Sequence, residues 1–468
     1  MFGKHSKIRY ICKNENNIKI IRQMKKLMLT LAVAAGVAAG EGNAQSILYP
    51  QHFDLSEVSI TEGPMRNAMK VNAELLLRYD ADRLMTPFIR EARLQGGKYQ
   101  NWLTEHPSFR NWGDYSWSLE GHVGGHYITA LALAYSAMRN DAEYSDLANK
   151  IKERMDYCLA IMKDCQDAYK GNTEGMEGFI GGQPYTEMWR GLYKGDLEPF
   201  RKFGGTVPFY CQHKVLAGLR DAYVYAGSDM AKELFRNLCD WSINVVSKLS
   251  DEQMQGILGW EHGGMNETLA DAYRIFGDRK YLDASVKYSQ KYFVDGMLAD
   301  QSGHYNEHFL DRKHANTQVP KFVGFERINQ LDESNLNPNH KNYAASVRNF
   351  WDDVANHRTV CIGGNSVGEH FLPSDHCEGY MTNLEGPESC NTNNMMKLSE
   401  SLFDATHDGK YADFYEAAVW NHILSTQDPA TGGYVYFTTL RPQAYRIYSQ
   451  VNSGMWCCVG TGMENHSK

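Results

Sequence analysis

No cluster of lysine or arginine interrupts the 468 residues, and the formal charge is −8. A nucleic acid would find no basic face here, so a nucleic-acid partner is excluded. The apolar run from Leu27 to Ala39 falls well short of the ~20 residues a helix needs to cross a bilayer. No cysteine follows that run, which excludes a lipid anchor. Disorder is also a poor reading, because 43% of the residues are hydrophobic and the chain can bury one or two large cores.

The N-terminal region carries an export signature. Met24-Lys25-Lys26 precedes the apolar run, and small and polar residues follow it to Gly42-Asn43-Ala44-Gln45. Residues 24–44 are therefore expected to be a signal peptide cleaved after Ala44, which sends the protein to the periplasm or the extracellular space. Residues 1–23, basic and rich in Asn and Ile, read as an upstream start artefact, with Met24 as the true start. Ten cysteines less Cys12 leave an odd number after cleavage. In an oxidising compartment at least one of them stays unpaired or is held by a metal.

A helical pattern recurs along the middle. Leu131 to Tyr135 leads to Arg139-Asn140-Asp141, and Leu219 to Tyr223 leads to Ala226-Gly227-Ser228-Asp229. Leu269 to Tyr273 leads to Phe276-Gly277-Asp278, and Leu398 to Leu402 leads to His407-Asp408-Gly409. Each copy reads as the end of one helix, a turn, and the start of the next. Repeated αα-hairpins must bury their apolar faces on one another, as an open solenoid or a closed ring. Long Gly- and His-rich insertions between the copies favour the ring, a mainly α fold of (α/α)6 toroid type over residues 76–430. The flanks differ. Residues 45–75 are expected to begin as an extended segment. Residues 431–468 are expected to open a β-rich region, because Gly433 to Thr439 and Ala444 to Tyr448 have strand character. The sequence stops at Lys468 soon after a Cys-Cys pair, and reads as truncated.

Histidines and acids cluster where the hairpin connections should meet: Glu120-Gly-His122 with His126, Tyr210 with His213, Glu261-His262, and His314. One histidine in such a place ordinarily satisfies a core hydrogen bond, whereas several at equivalent helix starts line a shared polar cavity. Later come Gly363-Gly364 with Glu369, then Glu388-Ser389-Cys390, then Trp456-Cys457-Cys458. Adjacent cysteines make a strained disulfide. With Glu388 and Cys390 they supply a tetrahedral zinc set; as sequence alone they are equally two buried thiols and an unrelated helix-start Glu.

These motifs resemble the β-L-arabinofuranosidases of glycoside hydrolase families 127 and 146, most closely the latter, of gut Bacteroides type, from about residue 46 to the end. The resemblance implies an (α/α)6 catalytic barrel followed by β-sandwich domains, most of which this chain lacks. It implies Zn2+ held by Glu388, Cys390, Cys457 and Cys458, with Cys457 as nucleophile and Glu369 as general acid/base. It makes His126, His213, Glu261, His262 and His314 the positions that bind an arabinose-containing glycan. Two other readings stay open: a different (α/α)6 sugar-processing enzyme with structural zinc, and a non-catalytic glycan-binding protein.

Overall fold

The computed structural model describes residues 44–109, 119–203, 206–331 and 340–468. The signal-peptide expectation therefore lies outside the described residues apart from Ala44.

Thirteen longer helices build the described body. They are α1 (Gly63–Arg78), α2 (Ala81–Glu91), α3 (His122–Met138), α4 (Ser145–Asp167), α5 (Pro208–Val224) and α6 (Asp229–Val245). They continue as α7 (Met265–Phe276), α8 (Arg279–Lys287), α9 (Ala315–Leu331), α10 (His340–Asp353), α11 (Ser389–Thr406), α12 (Gly409–Asn421) and α13 (Cys457–Asn465). The repeated turns lie where expected. Gly227, Gly277 and His407 all take positive φ, the left-handed geometry that stops a helix. Ser228, Asp278 and Asp408 then cap the next helix by accepting from the N–H of Ala231, Lys280 and Lys410.

Helices α3, α5, α7, α9, α11 and α13 each pack on the next, and α13 packs back on α3, closing an inner ring of six. Every residue of α5 is buried, as expected for a helix surrounded on all sides. Helices α4, α6, α8, α10 and α12 lie outside their preceding inner partners. The sixth outer position falls to α1, whose Asn72 donates to Met463 O and Ser467 Oγ at the end of α13. Close approach governs the α3–α5 crossing. A Cβ at Gly218 would lie 2.6 Å from Gly125 O, and one at Gly125 would lie 2.2 Å from Lys214 O.

Two expectations about the flanks need correction. Residues 45–75 are not extended throughout: Gln45–Leu48 is helical and α1 begins at Gly63, with extended backbone at Val58 and Glu62 between them. Asp54 and Glu57 form a capping box, a helix-start signal that the Pro50 region hid. The first residues of the segment cover the C-terminal ends of the inner helices. Arg274 donates to Ile47 O, Arg327 to Leu48 O, and the His52 ring pairs with Asp404. Nor do residues 431–468 open a sheet. Among the described residues only isolated bridges form, including Gln427 with Tyr434, Val435 with Tyr448 and Glu388 with Phe437. The Cys-Cys pair instead starts α13, because the ring needs a sixth inner helix to cover α3 and α11. No helix of the described residues is long and apolar enough to cross a membrane.

Candidate active site

The starts of the inner helices lie together: the Tyr210 ring on the first turn of α5 is 5.4 Å from that of His122 at the α3 start and 4.6 Å from that of His262 before α7, and Asn316 on the first turn of α9 donates to Glu388. Their N-termini thus converge, bringing partial positive charge to one mouth. Glu388 is the N-cap of α11 and Cys390 its second residue, while Cys457 and Cys458 are the first two residues of α13. All four are buried, and their ligating atoms lie within 4.8 Å of one another. Cys457 and Cys458 Sγ are 3.9 Å apart, and each is 3.7 Å from Glu388 Oε1. Cys390 and Cys458 Sγ approach to 3.1 Å.

Charge is unevenly spread over this cluster. The neighbouring Cys390 thiol, then that of Cys458, holds the Cys457 thiol well below the usual range. Burial drives Cys390, Cys458 and Glu388 upward. Glu388 Oε2 is buried without a hydrogen-bond partner among the described residues, a costly state for a carboxylate. Three sulfurs, one carboxylate and an orphaned oxygen fit zinc, whose bonds of about 2.3 Å to sulfur set sulfurs about 3.8 Å apart. The Cys457–Cys458 pair already matches, and the Cys390–Cys458 pair would open slightly. Asn316 Nδ2 donates to Glu388 Oε1 at 3.1 Å and Thr461 Oγ1 to Cys390 Sγ at 3.1 Å, steadying the set from α9 and α13.

Glu369 arrives on a strapped loop. It and Ser366 both take positive φ, a costly geometry for residues with side chains. Ala315 N donates to Glu369 O, and bridges from His314 to His370 and from Val367 to His370 hold the turn. Its carboxylate accepts from the Tyr436 hydroxyl and lies 3.4 Å from His314 Nε2. Hydrogen bonding from His314, then Tyr436, holds it below the ordinary Glu range against the opposing effect of burial. The Tyr436 hydroxyl also stands 3.7 Å from Cys457 Sγ, so one side chain touches both candidate catalytic groups.

The sequence reading missed Tyr436. It falls in the run taken for a strand, and that run is what places it: Ser389 N donates to Tyr436 O beside the α11 start.

Three of the expected histidines line the interior. His126 Nδ1 pairs with Glu464 Oε1 at 2.5 Å, His213 Nε2 lies 3.6 Å from Glu267, and His262 Nδ1 donates to Gly263 O. Burial lowers all three, His213 to about 3, which favours the neutral ring. His126 Nε2, His262 Nε2 and both His213 nitrogens have no hydrogen-bond partner among the described residues. Neutral imidazoles offer either a donor or an acceptor, which suits hydroxyl groups. His314 stands at the mouth, half exposed. Glu261 sits differently. Its Oε1 accepts from Phe209 N at the start of α5, and burial pushes it up to about 8. Lys214 was also missed; it is buried, with Nζ 5.4 Å from the Tyr210 ring centre.

Fold and site together define a helical barrel with a thiol-rich metal-type centre at its helix-start end, facing a carboxylate and a histidine-lined interior. The family model for the β-L-arabinofuranosidase GH127 catalytic domain matches residues 57–468, and the chain belongs to that family. Two solved structures are similar. The GH127 β-arabinofuranosidase BT3674 has a TM-score of 0.62 at 15% identity over 88% of this chain and 60% of its own. The GH127 β-L-arabinofuranosidase Ara127N from Geobacillus stearothermophilus T6 has a TM-score of 0.61 at 13% identity, over 88% and 64%. At these identities the likeness is one of fold. The chain spans less than two thirds of the length of either structure. No curated protein matches the chain.

Proposed function

We propose that this protein is an exported glycoside hydrolase that releases β-L-arabinofuranose from plant glycans with retention of configuration. Cys457 is the nucleophile, Glu369 the acid/base, and Glu388, Cys390, Cys457 and Cys458 hold zinc. The observation that carries this reading is the Tyr436 hydroxyl, which touches Glu369 and stands 3.7 Å from Cys457 Sγ. A nucleophile and a proton carrier on either side of one tyrosine suit a double displacement. His126, His213, His262 and His314 hydrogen-bond the sugar hydroxyls, and Glu261 supports them by fixing the α5 start.

Zinc, when bound, keeps Cys457 deprotonated at neutral pH. The Cys457 sulfur attacks the anomeric carbon while the bond to the departing oxygen breaks, and that oxygen takes the proton of Glu369. Water then attacks the same carbon, gives its proton to Glu369, and the sulfur leaves as thiolate. In the free site His314 and Tyr436 favour the Glu369 carboxylate. Entry of the sugar displaces water from this partly exposed group and raises its proton affinity, readying it for the first step.

Incubation with 4-nitrophenyl β-L-arabinofuranoside tests the reading: nitrophenol should be released, and proton NMR should show the β-anomer first. An α-anomer first, or no release by zinc-loaded protein, would overturn it. Export is tested by N-terminal sequencing of the mature protein, which should begin at Gln45.

A further inference from the structure

The connection into α7 carries an indole that the core does not use. Trp260 is 63% exposed, although its backbone is fixed by donation to Ile257 O. Two residues on, His262 is buried and its ring lies 4.6 Å from that of Tyr210. Two residues of chain reach at most about 7 Å, so Trp260 stands at the rim of the site.

Beside the indole runs a groove of about 300 Å³ lined by Leu197, Phe200, Arg201, Glu252, Gln253 and Trp260, among others. Phe200 packs on Phe209 at 5.9 Å, and Phe209 precedes Tyr210 on the first turn of α5. One helical turn thus supports the groove through Phe209 and touches the interior through Tyr210. A single exposed aromatic needs no explanation, but one joined to a groove at a catalytic mouth does. The groove is too small for a protein interface and within the size range of small-ligand sites. An open indole face beside Arg201, Glu252 and Gln253 matches a sugar, which has apolar C–H faces and a hydroxyl edge.

We propose that this groove is a subsite for the leaving-group side of the substrate, with Trp260 stacking on a sugar unit next to the scissile bond. The assignment rests on the glycosidase reading and adds that the preferred substrate is an oligosaccharide rather than a simple glycoside. Trp260→Ala in the full chain is compared with wild type on 4-nitrophenyl β-L-arabinofuranoside and on a β-L-arabinofuranosyl-terminated trisaccharide. KM for the trisaccharide should rise by roughly tenfold more than KM for the nitrophenyl glycoside, and Trp260→Phe should recover most of the difference. Equal changes on both substrates, or none on the trisaccharide, would overturn the subsite. If wild type turns over neither substrate, the glycosidase reading fails, and calorimetry with the trisaccharide decides the groove. Binding weakened by Trp260→Ala upholds it; binding left intact, or none by wild type, refutes it.

Discussion

Cys457 and Glu369 meet at Tyr436, yet their environments push them the same way, toward the charged form. Two neighbouring thiols favour the Cys457 thiolate, and Glu369 takes hydrogen bonds from His314 and Tyr436. Cys457→Ser keeps the shape but loses the thiolate, so turnover should fall by at least about a thousandfold. A steady-state assay on the zinc-loaded variant checks this. Glu369→Gln should separate leaving groups. An alkoxide departs badly without a proton, so an alkyl arabinofuranoside should slow by about 10²–10⁴-fold while the nitrophenyl glycoside slows much less. Equal slowing on both would remove Glu369 from the acid role.

Two elements hold the ring in shape. At the α3–α5 crossing the missing side chains of Gly125 and Gly218 let the helices approach and set the depth of His126 and His213. Gly218→Ala should cost about 1–3 kcal/mol through overpacking, read as a lowered thermal midpoint. At the opposite end the segment from Gln45 to Glu57 is tied by His52, which lies 2.9 Å from Asp404 Oδ2 and 3.8 Å from Glu400. The bond to Asp404 raises the His52 pKa, and Glu400 reinforces it, against burial and Lys468. A raised folded value means the tie is fully present below the unfolded histidine pKa of about 6.5 and is lost as pH rises through the folded value. Hydrogen exchange over residues 45–57, corrected for the intrinsic effect of pH, should show protection falling from pH 6 to pH 9. His52→Gln should abolish that pH dependence.

For the molecule as a whole, the metal set and the ring closure share one helix. Helix α13 supplies two sulfurs and closes the ring between α11 and α3. Purified protein should therefore carry one zinc per chain by elemental analysis, bound by on the order of 10 kcal/mol. Stripping it with a strong chelator should lower the thermal midpoint by more than about 5 °C and loosen α13 first. An unchanged midpoint would separate the metal from the fold.

The helical repeat, the turn caps at Ser228, Asp278 and Asp408, and the Glu388/Cys390/Cys457/Cys458 set could all be read from the sequence. The first two depend on local spacing, a helical period and a cap followed by its N–H partner, whereas the Glu388/Cys390/Cys457/Cys458 set rests on family resemblance, since its two halves lie about 70 residues apart. The positions of Tyr436 and Glu261 could not be read in this way. Tyr436 reaches Glu369 because residues 433–438 thread past the α11 start, and Glu261 turns to the Phe209 N–H because α5 begins beside it. Residues 45–57 and 457–465 were misread for the same reason. A short segment takes its conformation from what it must cover, here the far end of the barrel and the gap between α11 and α3. Local propensity decided the hairpins; ring closure, a contact between residues more than 300 apart, decided where the chemistry converges.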